Sequence, residues 1–111
     1  MDLREEIVGE ITVLEVKGRI DSTTAPTLGD RLISAFAIEG KRLVIDLRQL
    51  EYISSAGFRV LLLAAKRAEE SASQLVLCGL TAKVQQLFDL GGFLDIFRIA
   101  GSRDEAITSA K

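Results

Sequence analysis

A chain of 111 residues, 48% of them hydrophobic, has the size of one ordinary domain and enough apolar mass for one contiguous core without metal or disulfide help. Its 14 basic and 16 acidic residues are spread along the chain and leave a net charge of -2, so no basic stripe exists to neutralise a phosphate backbone, and nucleic acid is not an expected partner. The longest apolar run, Val60 to Ala65, is far too short to span a bilayer, and the opening Met1-Asp2-Leu3-Arg4-Glu5-Glu6 has no apolar signal core. No membrane insertion and a cytoplasmic location are the expectation.

Cysteine occurs once, at Cys78, which rules out an internal disulfide and a cysteine-pair metal site. In the run Leu75-Val76-Leu77-Cys78 it reads as a small buried hydrophobe. Histidine is absent, so neither a Ser-His-Asp nor a Cys-His nucleophile pair can form, and the usual general base near neutral pH is missing. Gly91-Gly92 is not followed by Gly-Lys-Ser or Gly-Lys-Thr, so no nucleotide-binding P-loop is present. An enzyme is not expected, nor a cofactor.

In chain order, Leu3 to Val8 and Ile11 to Val16 read as strands joined at Gly9-Glu10 in a hairpin. Val13 and Leu14 are both apolar, which predicts cover on both faces of the second strand. Ser22-Thr23-Thr24 supplies helix N-cap candidates, and Pro26 suits the first turn that follows. Leu28, Leu32 and Phe36, with Ile33 beside them, give a helix with one buried stripe that ends at Gly40. Arg42 to Asp46 suits a central parallel strand, Leu47 to Ile53 reads as loop, and a second helix starts at Ser54 or Ser55.

Gln74 to Cys78 is the next strand. A third helix runs from a Thr81 cap to Gly91-Gly92, and Phe97-Arg98-Ile99 makes a last short strand. Ser102-Arg103-Asp104-Glu105 matches a capping box before a C-terminal helix. The order predicts an α/β fold with right-handed crossovers, and a core that includes Leu14, Val16, Leu32, Val44, Ile45, Leu61, Leu62, Val76, Leu87 and Phe88.

The most informative stretch is Asp46 to Phe58, which joins the carboxyl end of a strand to the start of a helix, where ligands and partners of parallel sheets gather. Ser54 or Ser55 caps that helix, and the amides of Ala56, Gly57 and Phe58 point past it toward solvent. Two readings stand at this point. Either the serine is only a cap, or it carries a phosphate that gains from the free amides and the helix dipole. Gly57 costs about 1 kcal/mol against Ala in a helix, which predicts close approach by another backbone.

Asp46-Leu47 and Tyr52-Ile53-Ser54-Ser55-Ala56-Gly57-Phe58 resemble the signature of the anti-sigma factor antagonists of the STAS domain family. Gly18-Arg19-Ile20-Asp21 with Ala25, Leu75-Val76-Leu77-Cys78-Gly79 and Val84-Gln85-Gln86-Leu87-Phe88-Asp89 extend the resemblance over nearly the whole chain. It implies a single STAS domain over 1–111, with an N-terminal hairpin, a mostly parallel sheet of four to five strands and about four helices. Counting back from Gly57, it makes Ser55 the phosphoacceptor, with Ser54 at a position that is acidic in the family and Ala56 at one that carries a second hydroxyl.

The resemblance further implies a partner switch. The unphosphorylated protein binds a serine kinase that is also an anti-sigma factor, phosphorylation releases it, and a metal-dependent serine phosphatase restores the binding form. Asp21, Ser54, Ala56, Gly57 and Phe58 fall on the partner-binding face. For Asp21 a plain turn residue before the helix is the other reading. For the chain as a whole the alternative is an unmodified STAS subunit that docks on a larger assembly, such as a lipid-transport ATPase.

Overall fold

The computed structural model describes residues 1–111, and the element order is that of an α/β domain. Strands β1 (Asp2–Val8) and β2 (Ile11–Ile20) form the hairpin, with Val8 opposite Ile11 and Gly9 at φ +63 in the loop between them. Beyond it come α1 (Ala25–Ala35), β3 (Arg42–Asp46), β4 (Leu50–Ile53) and α2 (Ser55–Glu70). The chain closes with β5 (Gln74–Cys78), α3 (Ala82–Leu90), β6 (Ile99–Ala100) and α4 (Arg103–Ala110). The sheet order is β1-β2-β3-β5-β6, with β4 also on β2, and every pairing except β1 with β2 is parallel.

Period-two alternation sorts the strand residues into two cores. Leu14, Val16, Leu43, Ile45 and Leu77 pack with Leu28 and Leu32 of α1, Leu61 and Ala64 of α2, and Val84 and Phe88 of α3. Ile11, Val13, Val44, Val76 and Cys78 face the other way and meet Ala106 and Ala110 of α4. Both faces of β2 are therefore covered, as Val13 and Leu14 predict. Of the expected core residues, Leu62 and Leu87 are half-buried and the others buried.

Three elements and the orientation of one side chain differ from the sequence reading. The segment read as loop contains β4, because β2 runs on past β3 through an irregularity at Gly18/Arg19 and pairs Ile20 with Ile53, which buries Leu50 and Ile53. The sheet thus has six strands. Helix α1 stops at Ala35, with the Phe36 amide bonded to Leu32 O at 3.0 Å, and Gly40 lies in the later turn at φ +73. Ile33 turns outward rather than joining the stripe. The last strand begins at Ile99, because Phe97 turns into the core against Phe88.

The C-terminal helix is pinned by charge. Asp46, 2% exposed, accepts from Arg48 Nε at 3.0 Å and from Arg103 Nε at 3.1 Å, while Arg103 also reaches Glu6 and Glu15 at 2.6 Å each. Burial would raise the Asp46 carboxyl, but the hydrogen bonds from Arg48 and Arg103 outweigh it and hold the group below the ordinary carboxylate range. Ser102 Oγ accepts from the Glu105 amide, and the Glu105 carboxylate accepts from the Gly101 amide, so the expected capping box closes one residue early.

Candidate functional site

The end of β4 delivers Ser54 to the first turn of α2 in an extended conformation. Its amide donates to Ile20 O at 2.8 Å, its carbonyl accepts from the Phe58 amide at 3.0 Å, and its Oγ accepts from the Gly57 amide at 3.4 Å. Ser54 is thus the N-cap and its hydroxyl is engaged. Ser55, the first helical residue, is exposed, and no hydrogen bond from its hydroxyl to the rest of the chain exists.

The three residues that follow hold the turn in place. Ala56 is half-buried against the main core. A β-carbon on Gly57 would stand 2.6 Å from Ile53 Cγ1 and 2.7 Å from Ile20 Cγ2, so the close approach that glycine permits is to two side chains, not to a backbone as its helical position suggests. Phe58, 7% exposed, stacks on Phe93 at 4.4 Å and meets Phe88 edge-on at 4.9 Å. It forms the floor under the exposed turn.

Asp21 lies one residue beyond the Ile20 carbonyl that holds Ser54, so the β2 to α1 turn and the start of α2 share one end of the sheet. Its Oδ1 accepts from the Thr23 hydroxyl at 2.7 Å, the Thr23 amide at 3.0 Å and the Thr24 amide at 3.2 Å. The Thr23 hydroxyl is the main reason that its carboxyl lies below the ordinary range. Thr24, the nominal N-cap of α1, makes no side-chain cap, because its hydroxyl faces Arg19 O and the Asp21 amide, both at 2.9 Å. Asp21 organises the turn that the Ser22-Thr23-Thr24 cluster was expected to cap.

Beside Ser55 an open groove of 540 Å³ runs between α2 and α3, walled by Tyr52, Phe58, Leu62, Leu87, Leu90 and Phe93. Leu90 is 85% exposed. Arg19 stacks over the Tyr52 ring at 4.4 Å. Arg59, one turn after Ser55, is the only charged residue on the groove lining. Neither Arg59 nor Leu90 stands out in the sequence, although the four-residue step from Ser55 to Arg59 is legible there. No group of three or more His, Cys, Asp or Glu side chains is placed to hold a metal ion.

This arrangement is that of a small α/β domain with a mostly parallel sheet, in which an exposed serine opens a helix at the carboxyl edge where ligands and partners of such sheets gather. The chain belongs to the STAS domain family, whose profile matches residues 3–106. It is 37% identical over all of its length to BtrV of Bordetella bronchiseptica, described as a candidate anti-sigma factor antagonist, and covers 96% of that protein. With the anti-sigma-B factor antagonist of Listeria monocytogenes it shares 33% identity over 105 residues, 95% of this chain and 91% of the other. The crystal structure of an anti-sigma factor antagonist from Mycobacterium paratuberculosis superposes with a TM-score of 0.84 at 23% identity, covering 98% of this chain and 92% of that one.

Proposed function

We propose that the chain is an anti-sigma factor antagonist of the cytoplasm, switched at Ser55. Unmodified, it binds a serine kinase that acts as an anti-sigma factor, and so frees the sigma factor. The kinase transfers the γ-phosphoryl group of ATP to Ser55 Oγ, the hydroxyl proton leaves, ADP is released and the complex dissociates. A metal-dependent serine phosphatase hydrolyses the phosphoserine and restores the binding form. The names of the Bordetella and Listeria relatives support the class.

The observation that carries the choice of serine is the division of labour at the start of α2. Ser54 Oγ is committed to the Gly57 amide, whereas the Ser55 hydroxyl is exposed and makes no bond within the chain. Phosphate on Ser55 would sit at the positive end of a 16-residue helix without disturbing the core. Burying that dianion against a partner without compensating cations is costly, and about 2.7 kcal/mol suffices for a hundredfold loss of affinity.

Incubation with the cognate kinase and ATP tests the reading. Ser55→Ala is expected to stay bound and take no phosphate, Ser55→Asp to bind weakly, and Ser54→Ala still to accept phosphate. Undiminished incorporation into Ser55→Ala overturns the assignment. Absence of phosphate from the unmodified protein, both in that assay and in protein purified from its own cells, favours the constitutive docking subunit instead.

A further inference from the structure

Arg59 has a setting that the packing of the fold does not explain. On α2 its neighbours three and four positions away are Ser55, Ala56, Leu62 and Leu63, none of them charged. Ser55 and Arg59 line one groove, and the remaining wall, drawn from β4, α3 and the turn after it, contributes Tyr52 as its only other titratable side chain. Arg31, Arg42, Arg48 and Arg103 are each bound to carboxylates, whereas Arg59, like Arg4, Arg19, Arg67 and Arg98, has no ion pair, and of these only Arg59 lines the groove beside Ser55. The first turn of α2 holds no acidic residue. A cation is thus held one helical turn from the serine, with the Arg19 guanidinium over the neighbouring Tyr52 ring as a second cation beside the groove, and no anion in the unmodified chain pairs with Arg59.

We infer that Arg59 is the internal receptor for a phosphate on Ser55, so that modification both adds an anion to the docking face and withdraws the guanidinium from it. The phosphate precedes the arginine by four residues, the better orientation for a helical ion pair, and a guanidinium fork matches phosphate oxygens bidentately. In the unmodified chain Arg59 stays free at the groove rim for an acidic group of the partner. Phosphorylation converts that rim from cationic to anionic at one stroke, and the ion pair is fully formed only once the phosphate loses its second proton, near pH 6.

The inference rests on Ser55 as the modified residue, but its test does not need the kinase. Phosphoserine is installed at position 55 of the full chain by genetic code expansion, and its second ionisation is followed by phosphorus NMR between pH 4 and 8. The wild-type background is expected to titrate about 0.5 pH unit below Arg59→Gln, with the difference lost in 1 M salt, while Arg67→Gln, at the far end of the same helix, matches wild type. Equal titration of wild type and Arg59→Gln overturns the inference and leaves the proposed function standing. Failure to find phosphate on Ser55 in cells would strike the proposed function and leave the titration unaffected.

Discussion

The amide of Ser54 donates to the carbonyl oxygen of Ile20 at 2.8 Å, so the residue before Ser55 is fastened to the last residue of β2. Ser55 therefore starts its helix from a strand end in the sheet rather than from a free loop. Presentation of the serine depends on how closely α2 can approach Ile20 and Ile53.

That approach is set by Gly57. Gly57→Ala puts a methyl group about 2.6–2.7 Å from Ile53 and Ile20 and is expected to cost about 1–3 kcal/mol in urea denaturation. Combined with Ile20→Ala, which removes one of the obstructing methyl groups, the loss should be smaller than the sum of the two single losses. Simple additivity would show that the Ile20 contact does not limit this position.

The two serines should separate by stability alone. Ser54→Ala removes the cap on α2 and is expected to lose about 0.5–1 kcal/mol, the low end for a cap whose hydrogen bond is 3.4 Å long. Ser55→Ala should stay within about 0.5 kcal/mol of wild type. Paired denaturation curves decide it, and the reverse ranking would mean that Ser55 is the cap.

Asp21→Ala removes the acceptor that gathers the Thr23 and Thr24 donors. The Tm is expected to fall measurably, because the Thr23 and Thr24 donors lose the acceptor that orders the turn. A calorimetric Tm that does not move would argue that the carboxylate serves only the partner.

Acid stability should depend on Asp46. Its carboxyl titrates below the ordinary value of 3.8 in the folded chain, so its contribution is present above that value and is lost as pH falls through the folded value. Arg103→Ala removes one of its two guanidinium partners and raises that folded value. The variant is expected to lose about 1–3 kcal/mol at pH 7 and to unfold at a higher pH than wild type when acid titration is followed by circular dichroism. An unchanged acid midpoint would remove Arg103 from this role.

Cys78 should resist alkylation until the chain unfolds. Burial and the nearby Asp46 push its thiol up to about 11, and its side chain is fully enclosed beneath α4. Rapid labelling of the folded protein at pH 8 would show that α4 opens readily.

The α/β order, the hairpin, the caps at Thr81 and Ser102 and both-face burial of β2 were legible in the chain itself, because each depends on local spacing: period two in strands, a four-residue stripe in helices, a hydroxyl before an apolar run. The motif around Gly57 likewise carried Ser55 as the candidate acceptor. What the tertiary structure alone decided depends on contacts between residues distant in sequence. Strand β4 exists because Ile20 is there to pair with Ile53, Gly57 is required because two isoleucines meet at its α-carbon, and Asp46 can be buried because Arg103 arrives from the far end of the chain. The groove that joins Ser55 to an unpaired Arg59 forms only when α3 and Phe93 close its other wall, and no local pattern along a single segment encodes such a surface.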